Sequence, residues 1–138
     1  MRQGEAVFVD SGAWIALALA RDPLHERARE QWERLRSAGT KLHTSVPVVL
    51  ETFTFLDRNA TRDVALVWKD SIYKTVRVRI LACELRDLEG SWAYFQRPDL
   101  YKLSAVDATS FAIMRRARIR LAYTFDQHFA AAGFRLVS

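Results

Sequence analysis

The chain has 138 residues, half of them hydrophobic, including eight Phe, four Trp and four Tyr. This length suits one domain with a buried core, so we expect a single domain over residues 1–138 rather than a disordered chain. No apolar run reaches the ~18 residues that a membrane span needs, and MRQGEAVFVD lacks the long apolar segment of a signal peptide. We therefore expect a cytoplasmic protein that does not bind membranes.

Net charge and cysteine content further limit the kinds of partner and binding site that this chain can have. The formal net charge is +5 at pH 7, and 17 of the 21 basic residues are Arg. This excess is compatible with a polyanionic partner, because Arg binds phosphate through a planar fork, and equally with ordinary surface charge. Cys83 is the only cysteine. A single cysteine excludes an internal disulfide and a zinc site of clustered Cys.

Hydrophobic periodicity predicts that strands and helices alternate in the first half of the chain. AVFVD at 6–10 is a predicted strand, and SGAWIALAL after it is a predicted helix or helical turn. An amphipathic helix follows at about 24–38. KLHTS is a short strand that leads into a helix at about 45–59, which Ser45 caps, and another helix spans roughly 61–73.

The same alternation continues to the C-terminus. VRVRILA at 76–82 is a predicted strand, CELRDLEGSWAYFQR an imperfect helix, and SAVDATSFAIMRRARI a helix at about 104–118. LAYTF and FRLVS are strands around a short helix that Gly133 closes. This order predicts an α/β fold with a parallel sheet and helices on both faces. Ligands of such open sheets bind outside the carboxyl ends of the strands.

Four carboxylates fall where this fold would bring them to that edge. Asp10 and Asp126 each follow a strand, and Asp107 lies in the first turn of the helix before the fourth strand. Glu51 is the only Asp, Glu, Lys or Arg between positions 42 and 56. Because parallel strands end together, the four side chains are expected to converge.

Each acid also has a structural alternative. Asp10 and Asp126 could be helix N-caps, and Asp107 could form a capping box with Ser104. Glu51 could pair with Arg77 or Arg79, since buried charges are usually paired.

Taken together, the four acids indicate that a cation binds where they converge. Converging carboxylates would repel one another strongly at low dielectric unless a positive charge held them. Hard oxygen ligands without a Cys cluster or a His pair suit Mg²⁺ or Mn²⁺. Carboxylate-bound Mg²⁺ keeps several waters and binds phosphate, so this set indicates attack of an activated water on phosphorus.

The four acidic segments resemble, in order, the four motifs of the PIN-domain ribonucleases, and by size the VapC toxins of toxin–antitoxin pairs. The matching segments are VFVDSGAWIAL, TSVPVVLETFTFL, LSAVDATSFAIMRRARI and LAYTFDQHFAAAGFRLV. The resemblance covers nearly the whole chain, and the ordered set is more specific than any one motif. It implies a three-layer α/β/α fold with a parallel five-stranded sheet and endoribonuclease activity that depends on Mg²⁺ or Mn²⁺. It also implies an RNA substrate, an antitoxin protein as partner, and homodimers.

The resemblance also assigns roles to individual residues. The implied catalytic and metal-binding acids are Asp10, Glu51, Asp107 and Asp126. We expect Asp10 and Asp107 to bind the metal most directly, and Ser11 and Thr124 to hydrogen-bond ligands or phosphate. His128 is interpreted as a helix-surface residue, because a lone His lacks partner ligands. Gln127 and His128 follow Asp126 where some relatives carry a further acid, so one-metal and two-metal mechanisms both stay open.

Contacts with RNA and antitoxin are also predicted. Four arginines cluster about ten residues beyond Asp107, roughly 15 Å along a helix and within reach of flanking phosphates, although a helix C-terminus attracts cations in any case; these are Arg115, Arg116, Arg118 and Arg120, of which Arg115 and Arg116 are the candidate RNA-binding residues. Trp14 and Trp32 are candidate antitoxin contacts or core residues. Four aromatic side chains could stack on bases, although we expect at least two of them in the core; these are Trp92, Tyr94, Phe95 and Tyr101.

The main alternative is a PIN-like module that binds RNA or protein without cutting. Loss of an acid would mark such a module, and all four acids are present. Other enzymes fit less well, because Gly12 stands where a haloacid-dehalogenase-type phosphotransferase needs its second Asp.

Overall fold

A five-stranded sheet forms the centre of the computed structural model, which describes residues 1–74 and 77–138. The strands are β1 (Ala6–Val9), β2 (Lys41–Ser45), β3 (Val78–Leu81), β4 (Leu121–Tyr123) and β5 (Arg135–Leu136). The helices are α1 (Ser11–Ala18), α2 (His25–Ser37), α3 (Val46–Asn59), α4 (Arg62–Lys74), α5 (Leu85–Ser91), α6 (Ala105–Ala117) and α7 (His128–Ala131). The strand order is β3-β2-β1-β4-β5, and each neighbouring pair is parallel. The predicted α/β class and parallel sheet are confirmed; position 76, where the third strand was predicted to start, lies outside the described residues.

The central strand β1 explains why its sequence is continuously apolar. Val7 pairs with Leu42 on one side and with Leu121 on the other. Val7, Phe8 and Val9 are fully buried. A strand with a neighbour on both edges and helices over both faces has no solvent side, so it shows no alternation of apolar and polar residues.

The helices are arranged as right-handed crossovers require. Such crossovers put α1 to α4 on one face and α5 to α7 on the other. The contacts among α1, α2, α3 and α4, and between α5 and α6, agree with this arrangement. No helix in the described ranges is long and apolar enough to cross a bilayer.

A tryptophan cluster holds the first of these faces together. The ring of Trp14 lies 5.8 Å from Trp32 and 6.1 Å from Trp68, between ring centroids. The ring N–H of Trp14 donates to the Thr44 hydroxyl at 3.2 Å, and Thr44 in turn donates to the Val9 carbonyl. Trp14 is therefore a core residue, and its suggested role as an antitoxin contact is wrong.

The predicted imperfect helix after β3 divides into α5 and a 3₁₀ turn at Trp92–Gln96. Three residues per turn place Trp92 and Phe95 on the same side, where both are exposed. Tyr94 points the other way and packs its ring 5.1 Å from Phe111. Tyr101 is 76% exposed. The expectation that at least two of these four aromatics lie in the core is therefore wrong.

Candidate metal centre

Asp10 and Asp126 meet because their strands are neighbours in the sheet. Asp10 directly follows β1 and still pairs with β4, since its amide donates to the Tyr123 carbonyl at 3.0 Å. This bond holds the Asp10 backbone in an extended conformation at the carboxyl edge. Asp126 lies three residues beyond the end of β4 on the same edge. The convergence expected from parallel strands is observed for these two residues.

The Asp10 carboxylate is buried, and only one of its two oxygens accepts a hydrogen bond from the described residues. Its side chain is 3% exposed, and its Oδ2 accepts a hydrogen bond from the Thr124 hydroxyl at 2.9 Å. Asp10 occupies the N-cap position of α1, but its side chain makes no capping bond. Its Oδ1 has no hydrogen-bond partner among the described residues. Helix capping therefore does not explain this carboxylate.

Thr124 connects the two strand-end acids. Its hydroxyl donates to Asp10 and accepts from the Asp126 amide at 3.0 Å. Because the side chain is buried, this geometry is protected from water. Thr124 therefore orients Asp10 and the turn that carries Asp126.

Glu51 is brought to the same edge by α3, which starts where β2 ends. Ser45 caps this helix by accepting from the Val48 amide at 3.3 Å, as predicted. The Ser11 hydroxyl donates to Glu51 Oε1 at 2.6 Å. Within the described ranges Glu51 forms no ion pair, and Arg77 and Arg79 line a cavity beside the start of β2 and β3, at the other end of the sheet. The suggested pairing with these arginines is wrong.

Asp107 enters from the first turn of α6. The Ser104 hydroxyl accepts from the Asp107 amide at 3.0 Å, which caps the helix. The reciprocal bond of a capping box is not formed between these two described residues. The Asp107 side chain is instead placed beside Asp126 in a group that also includes His128.

The pKa values of Asp10 and Asp107 reflect both their burial and the charges of neighbouring acids. Burial, followed by the negative charge of Asp10, raises the pKa of Asp107 to about 9. Burial raises the pKa of Asp10 to about 6, and the charges of Glu51 and Asp126 act in the same direction. Without a cation, the ionised forms of Asp10 and Asp107 are therefore disfavoured.

His128 lies beside two of the four acids. One ligand atom from each of Asp107, Asp126 and His128 lies within 4.8 Å of the others. Nδ1 of His128 is 2.8 Å from Asp126 Oδ1 but forms no hydrogen bond with proper geometry. Nε2 donates to the Tyr101 carbonyl at 2.6 Å, since a carbonyl can only accept. The side chain of His128 is 25% exposed at the start of α7 and also borders the acids, so its interpretation as a helix-surface residue rather than a ligand stays an untested prediction.

His128 also acts on Asp126 through the backbone. Its amide donates to Asp126 Oδ1 at 2.8 Å, but the N-cap residue of α7 is Gln127, so the suggestion that Asp126 is the N-cap is wrong. Partial burial acts to raise the pKa of Asp126, but this hydrogen bond and the contact with Asp107 lower it overall. The Tyr101 carbonyl, and then Asp126, raise the pKa of His128. The spacing Asp-x-His was the one sequence signal that could have indicated this cluster.

The donor set fits a divalent cation. Carboxylate oxygens from Asp10, Glu51, Asp107 and Asp126 are the ligands that Mg²⁺ and Mn²⁺ prefer. The unpartnered Asp10 Oδ1 is a buried acceptor that a cation would satisfy. A cation would also offset the repulsion that raises the pKa of Asp10 and Asp107.

Two of the four arginines predicted to contact RNA, Arg115 and Arg116, have partners within the protein. Arg116 makes paired 2.8 Å hydrogen bonds to the buried Asp87. Arg115 donates to the Tyr94 hydroxyl at 2.8 Å and to the Ala132 carbonyl at 2.6 Å. The contacts of Arg116 favour a role in stabilising the fold over a role in binding phosphate. Direct contact of Arg116 with RNA stays an untested prediction.

Thr124→Val tests the support given to Asp10. Valine keeps the shape but loses the hydroxyl, so we expect metal affinity to fall about 10–100-fold, as for other residues that orient ligands. Titration of Mn²⁺ binding by calorimetry would measure this loss. Thr40→Val is the matched control, because Thr40 is also buried and donates to the Leu35 carbonyl, but it lies at the amino end of the sheet. Equal losses in both variants would contradict an orienting role.

Comparison with known proteins agrees with the geometry. The PIN domain family model matches residues 7–135. The 23S rRNA-specific endonuclease VapC20 of Mycobacterium tuberculosis is 39% identical over 129 residues, 93% of this chain and 95% of that protein. The crystal structure of M. tuberculosis VapC20, described as a sarcin-ricin loop cleaving toxin, matches with a TM-score of 0.82 at 37% identity, over 93% of this chain and 95% of that one.

A more distant structure shares the fold. FitAcB from Neisseria gonorrhoeae matches with a TM-score of 0.70 at 13% identity, over 96% of each chain. At that identity the likeness concerns the fold alone. Since the family model spans nearly the whole chain and one relative is 39% identical, this chain belongs to the PIN-domain family.

Proposed function

We propose that this protein is a divalent-metal-dependent endoribonuclease and the toxin of a toxin–antitoxin pair. The observation that carries the proposal is the convergence of four carboxylates at the carboxyl edge, one with a buried unpartnered oxygen. Asp10, Glu51, Asp107 and Asp126 are the proposed catalytic and metal-binding residues, with Mg²⁺ or Mn²⁺ as the ion. Ser11 and Thr124 position Glu51 and Asp10 through their hydroxyl groups.

The chemistry follows from this arrangement. A bound divalent cation would lower the pKa of a water and offset the charge on the phosphate. Asp10 and Asp107, the most buried of the acids, are the proposed anchors, because their positions are fixed by the sheet and by the capped helix. Glu51 and Asp126 are more exposed, so they can complete the site and orient the attacking water.

The substrate class is suggested by the relatives. VapC20 is named as an endonuclease specific for 23S rRNA, so we propose structured ribosomal RNA as the first substrate to test. Its description as a toxin supports an antitoxin partner for this chain. We also propose a cytoplasmic location, where such RNA is found, and a homodimer as the working assembly.

Cleavage of purified RNA tests the function directly. We expect the partner-free protein to cut a structured ribosomal RNA fragment in Mg²⁺ or Mn²⁺, and we expect EDTA to stop the reaction. Products should be resolved on a gel against an unrelated single-stranded RNA of equal length. RNA binding without cutting in either metal would instead support a non-catalytic binding module. Cutting that persists in EDTA would rule out the metal mechanism.

A further inference from the structure

The edge of the sheet opposite the acids carries a cleft of about 900 Å³. We call it the arginine cleft, and its charged lining residues are Arg2, Glu5, Arg115, Arg118, Arg120 and Arg135. Arg2 and Glu5 precede β1, Arg120 precedes β4 and Arg135 begins β5. Because the strands are parallel, these amino ends meet at one edge, and the acids lie at the other.

Most of the positive charge in the arginine cleft is uncompensated. Arg135 forms an ion pair with Glu5, which is the only carboxylate among the described residues of the lining. Arg115 donates to a hydroxyl and a carbonyl, which are neutral, so it keeps its full charge. Arg118 and Arg120 are exposed and form no ion pair with any described carboxylate. A concave surface of this kind concentrates anions.

The backbone at Arg118 is also unusual. Arg118 is the C-cap residue directly after α6, and its φ of 59° is the left-handed conformation that glycine or asparagine normally supplies at a helix end. An L-residue with a long side chain is disfavoured there, by roughly 1–2 kcal/mol. The guanidinium of Arg115 is held nearby, 4.9 Å from the centroid of the Phe134 ring. Backbone strain of this kind is concentrated at functional positions, which favours a functional role for Arg118.

The lining favours a phosphate-rich ligand over a protein. The apolar side chains of the arginine cleft, Met114, Ile119 and Phe134, are all buried in the core. The cleft therefore offers none of the exposed apolar anchors that form the centre of most protein interfaces. All its cations are Arg, whose planar fork makes paired hydrogen bonds to phosphate oxygens.

We propose that the arginine cleft binds the phosphate backbone of RNA at a second site, without the metal. This inference rests on the proposed function for the identity of the polyanion, but it does not depend on cleavage. A large folded RNA could contact this edge through a segment distant from the scissile bond. Such a site would raise affinity for long RNA without changing the chemistry at the acids.

Arg118→Gln/Arg120→Gln tests the arginine cleft. Affinity for a uridine 20-mer and for a stem-loop RNA would be measured in EDTA at several salt concentrations. Losing two phosphate contacts should lower the slope of log K against log[salt] by about 1.4 for the single strand. We expect the Kd at low salt to rise on the order of tenfold. Arg29→Gln/Arg36→Gln, which removes two exposed arginines from α2, is the control with the same change of net charge.

The outcomes separate this site from the proposed function. Loss of RNA affinity in the cleft variant but not in the control supports the proposal, as does unchanged metal-dependent cutting of a short RNA by the cleft variant. Equal losses in both variants would mean that only net charge matters and would overturn it. Unchanged RNA binding, with loss of binding to a polyglutamate probe, would assign the cleft to an acidic protein segment instead. Because affinity is measured in EDTA, failure of cleavage does not affect this test.

Discussion

Asp10→Asn is expected to abolish metal-dependent cleavage and, at the same time, to stabilise the metal-free protein. The substitution removes a proposed ligand held between two strands, so several kcal/mol of transition-state stabilisation are lost. At 1.4 kcal/mol per factor of ten, the rate should fall on the order of 10³-fold. Asparagine can still accept the Thr124 hydrogen bond while removing a buried charge beside Glu51 and Asp126, whose repulsion disfavours the folded apo state.

Two measurements on the same preparation would check this pair of effects. RNA cleavage in Mn²⁺ gives the rate, and thermal unfolding in EDTA and in Mn²⁺ gives the stability. We expect the melting temperature in EDTA to rise by a few degrees and the added stabilisation by Mn²⁺ to disappear. Asp63→Asn, an exposed acid in the first turn of α4, should change neither quantity. A variant that keeps its Mn²⁺ stabilisation would argue against Asp10 as a ligand.

Arg116→Met is expected to destabilise the fold by about 3 kcal/mol. Arg116 makes paired hydrogen bonds to Asp87, whose side chain is only 2% exposed, and also donates to the Ala82 carbonyl at 3.1 Å. Asp87 Oδ2 also accepts from the Glu84 amide at 2.8 Å, in the capping box of α5. Removing the guanidinium leaves a buried carboxylate with one amide donor, and breaking a buried pair on one side typically costs about 3–5 kcal/mol. Urea unfolding at pH 7 would measure the change.

The pH dependence of that loss has a definite sign. The hydrogen bonds from Arg116 hold the pKa of Asp87 below its ordinary value in the wild type. The stability from this pair is therefore complete above the unfolded pKa, near 3.9, and is lost as pH falls through the lower folded pKa. In Arg116→Met the isolated carboxylate is easier to bury when protonated, so the difference between the two proteins should shrink towards acid pH.

An exposed pair provides the control for the buried one. Arg62 makes the same paired contact with Asp57, at 2.8 and 3.1 Å, but its side chain is 74% exposed. Exposed ion pairs contribute about 0–1 kcal/mol, so Arg62→Met should change stability little. If both methionine variants lost the same stability, burial of Asp87 would not be the cause.

Some of the centre could be predicted because it depends on strand order alone. Parallel strands end at one edge, so residues that follow strands, such as Asp10 and Asp126, meet there in any sheet where the strands are neighbours. Glu51 was conspicuous as a lone acid on an apolar helix. These arguments need only local sequence and the direction of the chain.

Other parts depend on packing between elements far apart in sequence. The Ser11–Glu51 bond joins residues 40 positions apart, and the Arg116–Asp87 pair joins residues 29 apart. Neither follows from periodicity, because each is set by how two helices pack. The orientation of the His128 ring could not be predicted for the same reason, since the Tyr101 carbonyl that it contacts is 27 residues away.

The ring of His128 has a thermodynamic consequence. Through its two nitrogens it touches Asp126 on one side and the Tyr101 carbonyl on the other, so the proposed metal centre and the segment before α6 share one side chain. Ordering that side chain costs conformational entropy only once, whichever neighbour is fixed first. If a nucleotide docked on Tyr101 tightens cation binding, the cation must tighten nucleotide binding by the same factor. Substrate binding and metal binding would then be thermodynamically linked, so that neither affinity could change without the other.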